Sequence, residues 1–339
     1  WSSKLIHGGL RYLENYNFKL VRESLKEREV INYIAADITR PIPFVIPYSK
    51  KLRSKWLLRL GLFIYDNLGG KSSIPKSSTI NFKKKYTNIL KNKFTLGFKY
   101  YDLQVDDKKL TELNADDARK RGALIIENTK VIKVNRNTDS WEIFLEDKRI
   151  IKAKILINAT GPWVNEVVKN ILKINTNKSI RLVKGSHIVT KKLYDEELAF
   201  TLQNEDKRIV FVIPYNSYSL IGTTEIDVDS PENPKISKEE INYLINTVNS
   251  YFSKPIQESD ILETYSGIRP LIEDFKDASK VARDYVFDFN KQNNNALLLN
   301  IYGGKLTTYR KLSEKVMEDI NPYLSDKIKD NWTSKKILR

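Results

Sequence analysis

The chain contains no cysteine. That excludes disulfides, thiol nucleophiles and cysteine-ligated metals. Histidine is nearly absent as well: His7 and His187 are the two present, too few for a histidine-rich metal site. No bound metal is therefore expected. No apolar run approaches the ~20 residues that cross a bilayer as a helix, and no signal-peptide pattern is visible. Methionine occurs once, at Met317, while the chain opens on Trp1. The expectation is that residue 1 is not the start of a complete translated product.

What is present is enough apolar sequence, 41%, to build a core. A length of 339 residues suggests two or three domains, or one large one. Lysine and arginine number 58 against 42 acidic residues, a formal charge of +16. A nucleic-acid partner is one reading of that charge. However, the basic residues are spread along the whole chain among acidic ones, and no basic nucleic-acid module is present. A solvated, lysine-rich surface and no nucleic-acid partner are the favoured reading.

The stretch around which the rest is arranged is 297–310, LLLNIYGGKLTTYR. Leu297 to Tyr302 has the length and apolarity of a buried strand. Gly303 and Gly304 permit a tight turn and close approach to the backbone. Leu306, Tyr309, Val316 and Ile320 then share a helical face. A helix start of this kind offers free N–H groups to an anion or an electron-rich ring edge. Lys305 and Arg310 add fixed cations.

Taken in order, the spacing predicts a helix over 18–36, ended by Pro41 and Pro43. Residues 41–105 read as irregular, with a helix over 56–68 and a loop from Gly69-Gly70 to Ser78. A capped helix is expected over 107–121, a strand over 123–127, and a three-stranded meander at 131–134, 141–145 and 150–157. Gly161 and Pro162 form a second strand-to-helix junction. Strands are expected at 181–190, 209–214 and 219–224. Ser237 and Glu240 form a capping box for a helix to about Tyr251. Arg269 is expected in a Gly-Ile-Arg-Pro turn. The alternation argues for an α/β nucleotide-binding layer interrupted by an antiparallel substrate layer.

Five segments pair a glycine or polar turn with a cation or histidine: 2–12, 158–163, 184–187, 266–270 and 302–310. Singly, each is more often an ordinary turn. Together the chain closely resembles the FAD-dependent, quinone-linked (aerobic-type) glycerol-3-phosphate dehydrogenases. The matching stretches are SSKLIHGGLRYLE at 2–14, LVRESLKEREV at 20–30, INATGPWV at 157–164, KGSHIV at 184–189, LQNEDKRIVFVIPY at 202–215, IGTTE at 221–225, YSGIRPL at 265–271 and YGGKLTTYRKL at 302–312. The family's glycine-rich FAD fingerprint and its C-terminal helical domain have no counterpart here, so residues 1–339 by themselves are expected to bind FAD weakly or not at all.

The resemblance implies an α/β (α+β) fold. It is the two-layer FAD-binding arrangement, glutathione-reductase-like and D-amino-acid-oxidase-like, lacking its first βαβ unit and carrying an antiparallel-sheet substrate domain. Segments 1–40, 106–179 (with the meander) and 291–325 (closing strand and helix) would form the FAD domain. Segment 41–105 would be a substrate or helical part, 180–290 the substrate domain, and 326–339 the start of a further C-terminal domain.

The implied reaction is hydride transfer from C2 of sn-glycerol 3-phosphate to flavin N5, giving dihydroxyacetone phosphate, with electrons passed to a membrane quinone. His187, Arg269 and Arg11 are the implied catalytic residues, with His187 as base. Tyr12, Arg269, Arg283 and Lys305 would bind substrate, arginine offering a planar fork to phosphate oxygens. For FAD, the resemblance points to Ser2, Ser3, Lys4, His7 and Gly8 beside the flavin. Thr129 and Val131 would lie near adenine, and Ala159, Thr160 and Gly161 near the pyrophosphate. Gly303, Gly304, Lys305, Leu306 and Thr307 would present helix N–H groups to the ring. Further implications are peripheral attachment to an anionic membrane surface, on the cytoplasmic face of a bacterial inner membrane, with a homodimer as one option for assembly. Two alternatives stand beside this: an inactive remnant that keeps the fold but binds no FAD, and an amino-acid oxidase of the same two-layer fold. The surplus of arginines disfavours the second.

Overall fold

The computed structural model describes residues 2–86, 88–272, 285–291, 295–324 and 332–339. The chain begins with a two-residue strand, β1 (Leu5–Ile6), a short 3-10 segment and helix α1 (Phe18–Ile34). Val21, Leu25, Arg28 and Ile31 recur every three or four residues and form the buried stripe of α1.

Residues 41–105 are not irregular, which corrects the expectation. They supply β2 (Thr39–Pro47), α2 (Lys55–Leu68), β3 (Ser78–Asn81) and β4 (Leu96–Val105). Pro41 and Pro43 lie inside β2, paired with Leu103 and Tyr101 of β4. β4 pairs with the whole length of β2 on one edge, and on the other β10 engages Phe44 and Val45 alone.

Helix α3 (Asp107–Lys120) is capped by Asp106, whose carboxylate accepts from Lys109 N–H, and it carries Arg119 and Lys120 in its last turn. The strand expected over 123–127 does not form; that stretch pairs with no sheet. β5 (Val131–Arg136), β6 (Trp141–Leu145) and β7 (Ile150–Ala153) make the antiparallel meander. The chain then breaks at Lys154, and β8 (Ile155–Asn158) joins a different sheet. A helical run over 161–172 contains α4 (Val164–Glu166).

Next come β9 (Ile180–Lys191), β10 (Ala199–Gln203), β11 (Ile209–Tyr215), β12 (Tyr218–Gly222) and β13 (Ile226–Val228). Helix α5 (Lys238–Tyr251) starts at the expected Ser237/Glu240 capping box. It is followed by β14 (Ile261–Ile272), β15 (Tyr285–Asn290), β16 (Leu297–Gly303) and α6 (Tyr309–Ile320).

The large sheet runs β1-β4-β2-β10-β11-β12-β9-β13, with β3 beside β4 and β14 beside β9. Its strands are apolar on both faces because both are covered. Val45, Ile188, Phe200 and Val212 face α5, while Phe44, Ile46, Val189 and Ile213 face α1 and α2. Since successive strand residues point to opposite faces, Ser186 is turned toward α5 and His187 toward the α1/α2 side. The third sheet, β15-β16-β8, contains the parallel pair β16–β8.

Candidate active site

β8 and β16 run side by side in the same direction, and their pairing ends with Asn158 opposite Asn300. Both asparagines are buried, and Asn158 Nδ2 donates to Asn300 Oδ1 at 3.0 Å. Past them each chain turns on glycine: Gly161 at φ 57°, Gly303 at 76° and Gly304 at 102°. These are left-handed conformations that favour glycine. The second turn runs straight into a helical start at Leu306 and then α6. The crevice beyond the carboxyl ends of parallel strands is where α/β folds take nucleotides.

Next to this junction, on the α1/α2 side of the large sheet, opens a cleft of about 360 Å³. Ser3, His7, Arg11, Tyr12, His187, Arg269, Gly304, Lys305, Leu306 and Thr307 all line it. His187 is 3% exposed. Its Nε2 lies 2.9 Å from Ser3 Oγ, and its ring stacks on Tyr265 at 4.8 Å between centroids. Gly222 makes room for it: a Cβ there would come within 2.2 Å of His187 Cδ2. Burial, and then the nearby Arg269 guanidinium, push its pKa down to about 3. The imidazole is therefore neutral, with a lone pair able to accept a proton.

Arg269 does not occupy a turn. It lies within β14, opposite Val183 of β9, and Pro270 is accommodated in the strand beside it. Its Nη2 donates to Thr223 Oγ1 at 3.1 Å, and its Nη1 pairs with Glu225 at 3.3 Å. Arg11 stands 3.9 Å from the same Glu225 carboxylate. Lys305 Nζ sits 4.6 Å over the Tyr12 ring. Arg269, Arg11 and Lys305 thus line the same cleft, with a neutral base nearby.

The structure does not bring every expected residue into the cleft. Lys4 is held by Asp107 at 2.8 Å, and Ser2 Oγ donates to the same carboxylate at 2.7 Å. Ser2 still borders the cleft; Lys4 does not. His7 N–H donates to Thr307 Oγ1 at 3.3 Å, and Gly8 N–H to Tyr65 Oη at 2.8 Å. Thr129 and Val131 sit at the exposed start of the meander, where Thr129 Oγ1 bonds the Glu127 carbonyl. Ala159, Thr160 and Gly161 follow β8 at the crevice, outside the cleft lining. Arg283 lies outside the described residues. Glu225, Thr223 and Asp107 were missed by sequence reasoning; the IGTTE stretch was the available signal for the first two.

Burial alone would raise the Asp107 carboxyl, but hydrogen bonds from Lys4 and Ser2 outweigh it and hold the pKa at about 2. A depressed carboxyl stabilises the fold above its unfolded pKa of ~4. That contribution is lost as pH falls toward about 2. Asp107→Asn is expected to remove this part of the acid dependence, read as acid-unfolding curves that converge for the two proteins at low pH and separate near neutrality.

Residues 1–310 match the model of the FAD dependent oxidoreductase family. The chain belongs to that family. Within it, the chain is 43% identical to the aerobic glycerol-3-phosphate dehydrogenase of Escherichia coli (strain K12), over 99% of this chain and 68% of that protein. It is 42% identical to the D-erythritol 1-phosphate dehydrogenase of Brucella abortus (strain 2308), over 98% of this chain and 68% of that one. Its fold superposes on the glycerol-3-phosphate dehydrogenase from Bacillus halodurans complexed with FAD, with a TM-score of 0.75 at 23% identity, covering 99% of this chain and 59% of that one. The chain thus spans about two thirds of these curated relatives.

The residues present suit a flavin. The left-handed pair Gly303 and Gly304 leaves backbone bare at a helix start, and a Cβ on Gly304 would press on Leu312 at 3.1 Å. Gly304, Lys305, Leu306 and Thr307 line the cleft from that side, with His7 tied to Thr307. FAD is the cofactor of the family to which the chain belongs.

Proposed function

We propose that this chain forms the substrate-binding core of a flavin-dependent dehydrogenase that oxidises sn-glycerol 3-phosphate to dihydroxyacetone phosphate. The observation that carries this reading is the convergence of neutral His187 with Arg269, Arg11 and Lys305 in one cleft beside the Gly303–Gly304 turn. A phosphate dianion in a half-buried site needs paired cations. Arg269 and Arg11 present guanidinium forks beside the Glu225 carboxylate, and Lys305 adds a third charge to the lining. An amino-acid substrate, with one carboxylate, would need fewer.

His187 Nε2 faces Ser3 and the cleft, so it is the atom that takes the hydroxyl proton. The Tyr265 ring and Gly222 hold the imidazole flat against the cleft wall. FAD, when bound, accepts the hydride. Arg269 also raises the cost of protonating His187 before substrate arrives. The acid limb of kcat/KM, which reports the free enzyme, is therefore expected below the ordinary imidazole range. A limb at the usual His value would contradict His187 as the buried base.

The D-erythritol phosphate dehydrogenase likeness favours a second reading, a longer polyol phosphate carried by the same cations. Steady-state rates with both substrates and a dye acceptor decide between them.

Among the described residues no helix is long and apolar enough to cross a membrane. Helix α2, though, leaves Trp56, Leu57, Leu60 and Phe63 exposed, at 79, 57, 55 and 60%. Their spacing puts them on one side of the helix. Lys50, Lys51, Lys55 and Lys71 stand exposed around it. An apolar face rimmed by cations suits the interface of an anionic bilayer, the phase that holds a quinone acceptor. The Trp56→Glu, Phe63→Glu double variant is expected to bind anionic vesicles roughly tenfold more weakly or worse, as lost apolar burial dictates. Unchanged cosedimentation at low salt would remove α2 from the membrane contact.

A further inference from the structure

Three buried side chains at the floor of the cleft, which Asp102 lines, take no part in the chemistry above. Arg28 of α1, Tyr65 of α2 and Asp102 of β4 come from three elements and meet in the core, each at most 6% exposed. Arg28 Nη1 donates to Asp102 Oδ1 at 2.9 Å and to the Tyr101 carbonyl at 2.9 Å. Tyr65 O–H donates to the Asp102 carboxylate at 2.7 Å. Burial and the Asp102 charge keep the phenol pKa far above its usual value, so the hydroxyl stays protonated. Its oxygen then accepts the Gly8 N–H at 2.8 Å, and Asp102 Oδ1 lies 3.3 Å from the same N–H.

Gly8 is fitted to this contact. A Cβ there would meet Leu25 Cδ2 at 2.4 Å and Tyr65 Oη at 2.7 Å. Gly9 follows at φ 76°, and its N-capping turn starts the 3-10 segment Leu10–Asn15. That segment carries Arg11 and Tyr12, and Tyr12 N–H donates to the Gly9 carbonyl at 2.9 Å. The other end of the turn is fixed through His7 and Thr307. The 7–9 backbone is therefore clamped between the buried cluster and the start of the closing helix. What it aims is Arg11, near Glu225, and Tyr12, under Lys305.

We propose that Tyr65, oriented by the Arg28–Asp102 pair, is a positioning residue that sets the substrate-binding side chains Arg11 and Tyr12 through the Gly8 N–H. This rests on the functional reading above. Displacing a binding group by a fraction of an ångström weakens substrate capture more than it weakens the fold. Tyr65→Phe removes one oxygen and leaves Asp102 to meet Gly8 at the longer distance.

The test uses the flavin-loaded enzyme and a control, Leu62→Ala, on the same helix and in the same core but with no bond to the turn. Tyr65→Phe is expected to lower kcat/KM for glycerol 3-phosphate roughly tenfold, mostly through KM. Leu62→Ala, although it lowers the melting temperature at least as much, is expected to leave KM within about twofold. Hydrogen exchange of the 5–14 segment provides a readout without substrate: its protection should fall in Tyr65→Phe and hold in Leu62→Ala. Unchanged exchange in Tyr65→Phe, or an equal KM rise in both variants, overturns the proposal. A wild-type enzyme inert to glycerol 3-phosphate would instead overturn the functional reading, and the exchange experiment would still decide the clamp.

Discussion

Arg269→Lys is expected to lower kcat/KM for glycerol 3-phosphate by roughly tenfold to a thousandfold, about 1.4–4 kcal/mol, the range for one charge-assisted contact. Arg269 is anchored in β14, and its two Nη atoms are directed to Thr223 and Glu225. Strand pairing on one side and those two contacts on the other leave the guanidinium little freedom. Lysine keeps the charge but cannot span two oxygens with a planar fork. Flavin content should stay unchanged, because Arg269 meets the cleft from the sheet and not from the Gly304 side. Full retention of kcat/KM would make Arg269 a structural strand residue and move the phosphate site to Arg11 and Lys305.

His187→Asn is expected to act on the other parameter. Removing a positioned general base costs about 10²–10⁴ in kcat. The cations would still hold phosphate, so KM should change much less. Asparagine can keep a contact to Ser3 Oγ but offers no basic lone pair and loses the stack on Tyr265. A rise in KM with kcat preserved would mean that His187 binds the substrate and another group takes the proton.

Much of this site could be read from the chain because its parts are local. The β16 strand, the Gly303–Gly304 turn and α6 lie within one short stretch, and each has its own signal: apolar run, glycine pair, helical period. The Ser237/Glu240 cap and the meander are legible for the same reason, although the third strand, expected over 150–157, ends at Ala153 and Ile155–Asn158 joins another sheet. Where reading failed, a local rule met a distant partner. Pro41 and Pro43 punctuate a sequence, yet β4 and β10 accept them in a strand. Pro270 suggests a turn after Arg269, but β14 pairs with eleven residues of β9, which hold that segment extended. Residues 123–127 open on a short apolar run of strand length and find no ladder partner. The counter-charges were hidden by separation. Glu225 lies 44 residues from Arg269, and Asp107 lies 103 from Lys4. No periodicity links such pairs; sheet topology alone brings them together. The family resemblance points Lys4 to the flavin, but the Asp107 carboxylate draws its ammonium away.

The central claim is that this cleft delivers hydride from a polyol phosphate. Its most direct test is anaerobic titration of the purified flavin-loaded protein with sn-glycerol 3-phosphate, following flavin absorbance and dihydroxyacetone phosphate together. The account predicts full bleaching, with one dihydroxyacetone phosphate formed for each flavin reduced. A flavin that stays oxidised with glycerol 3-phosphate, yet bleaches with an amino acid, would contradict it.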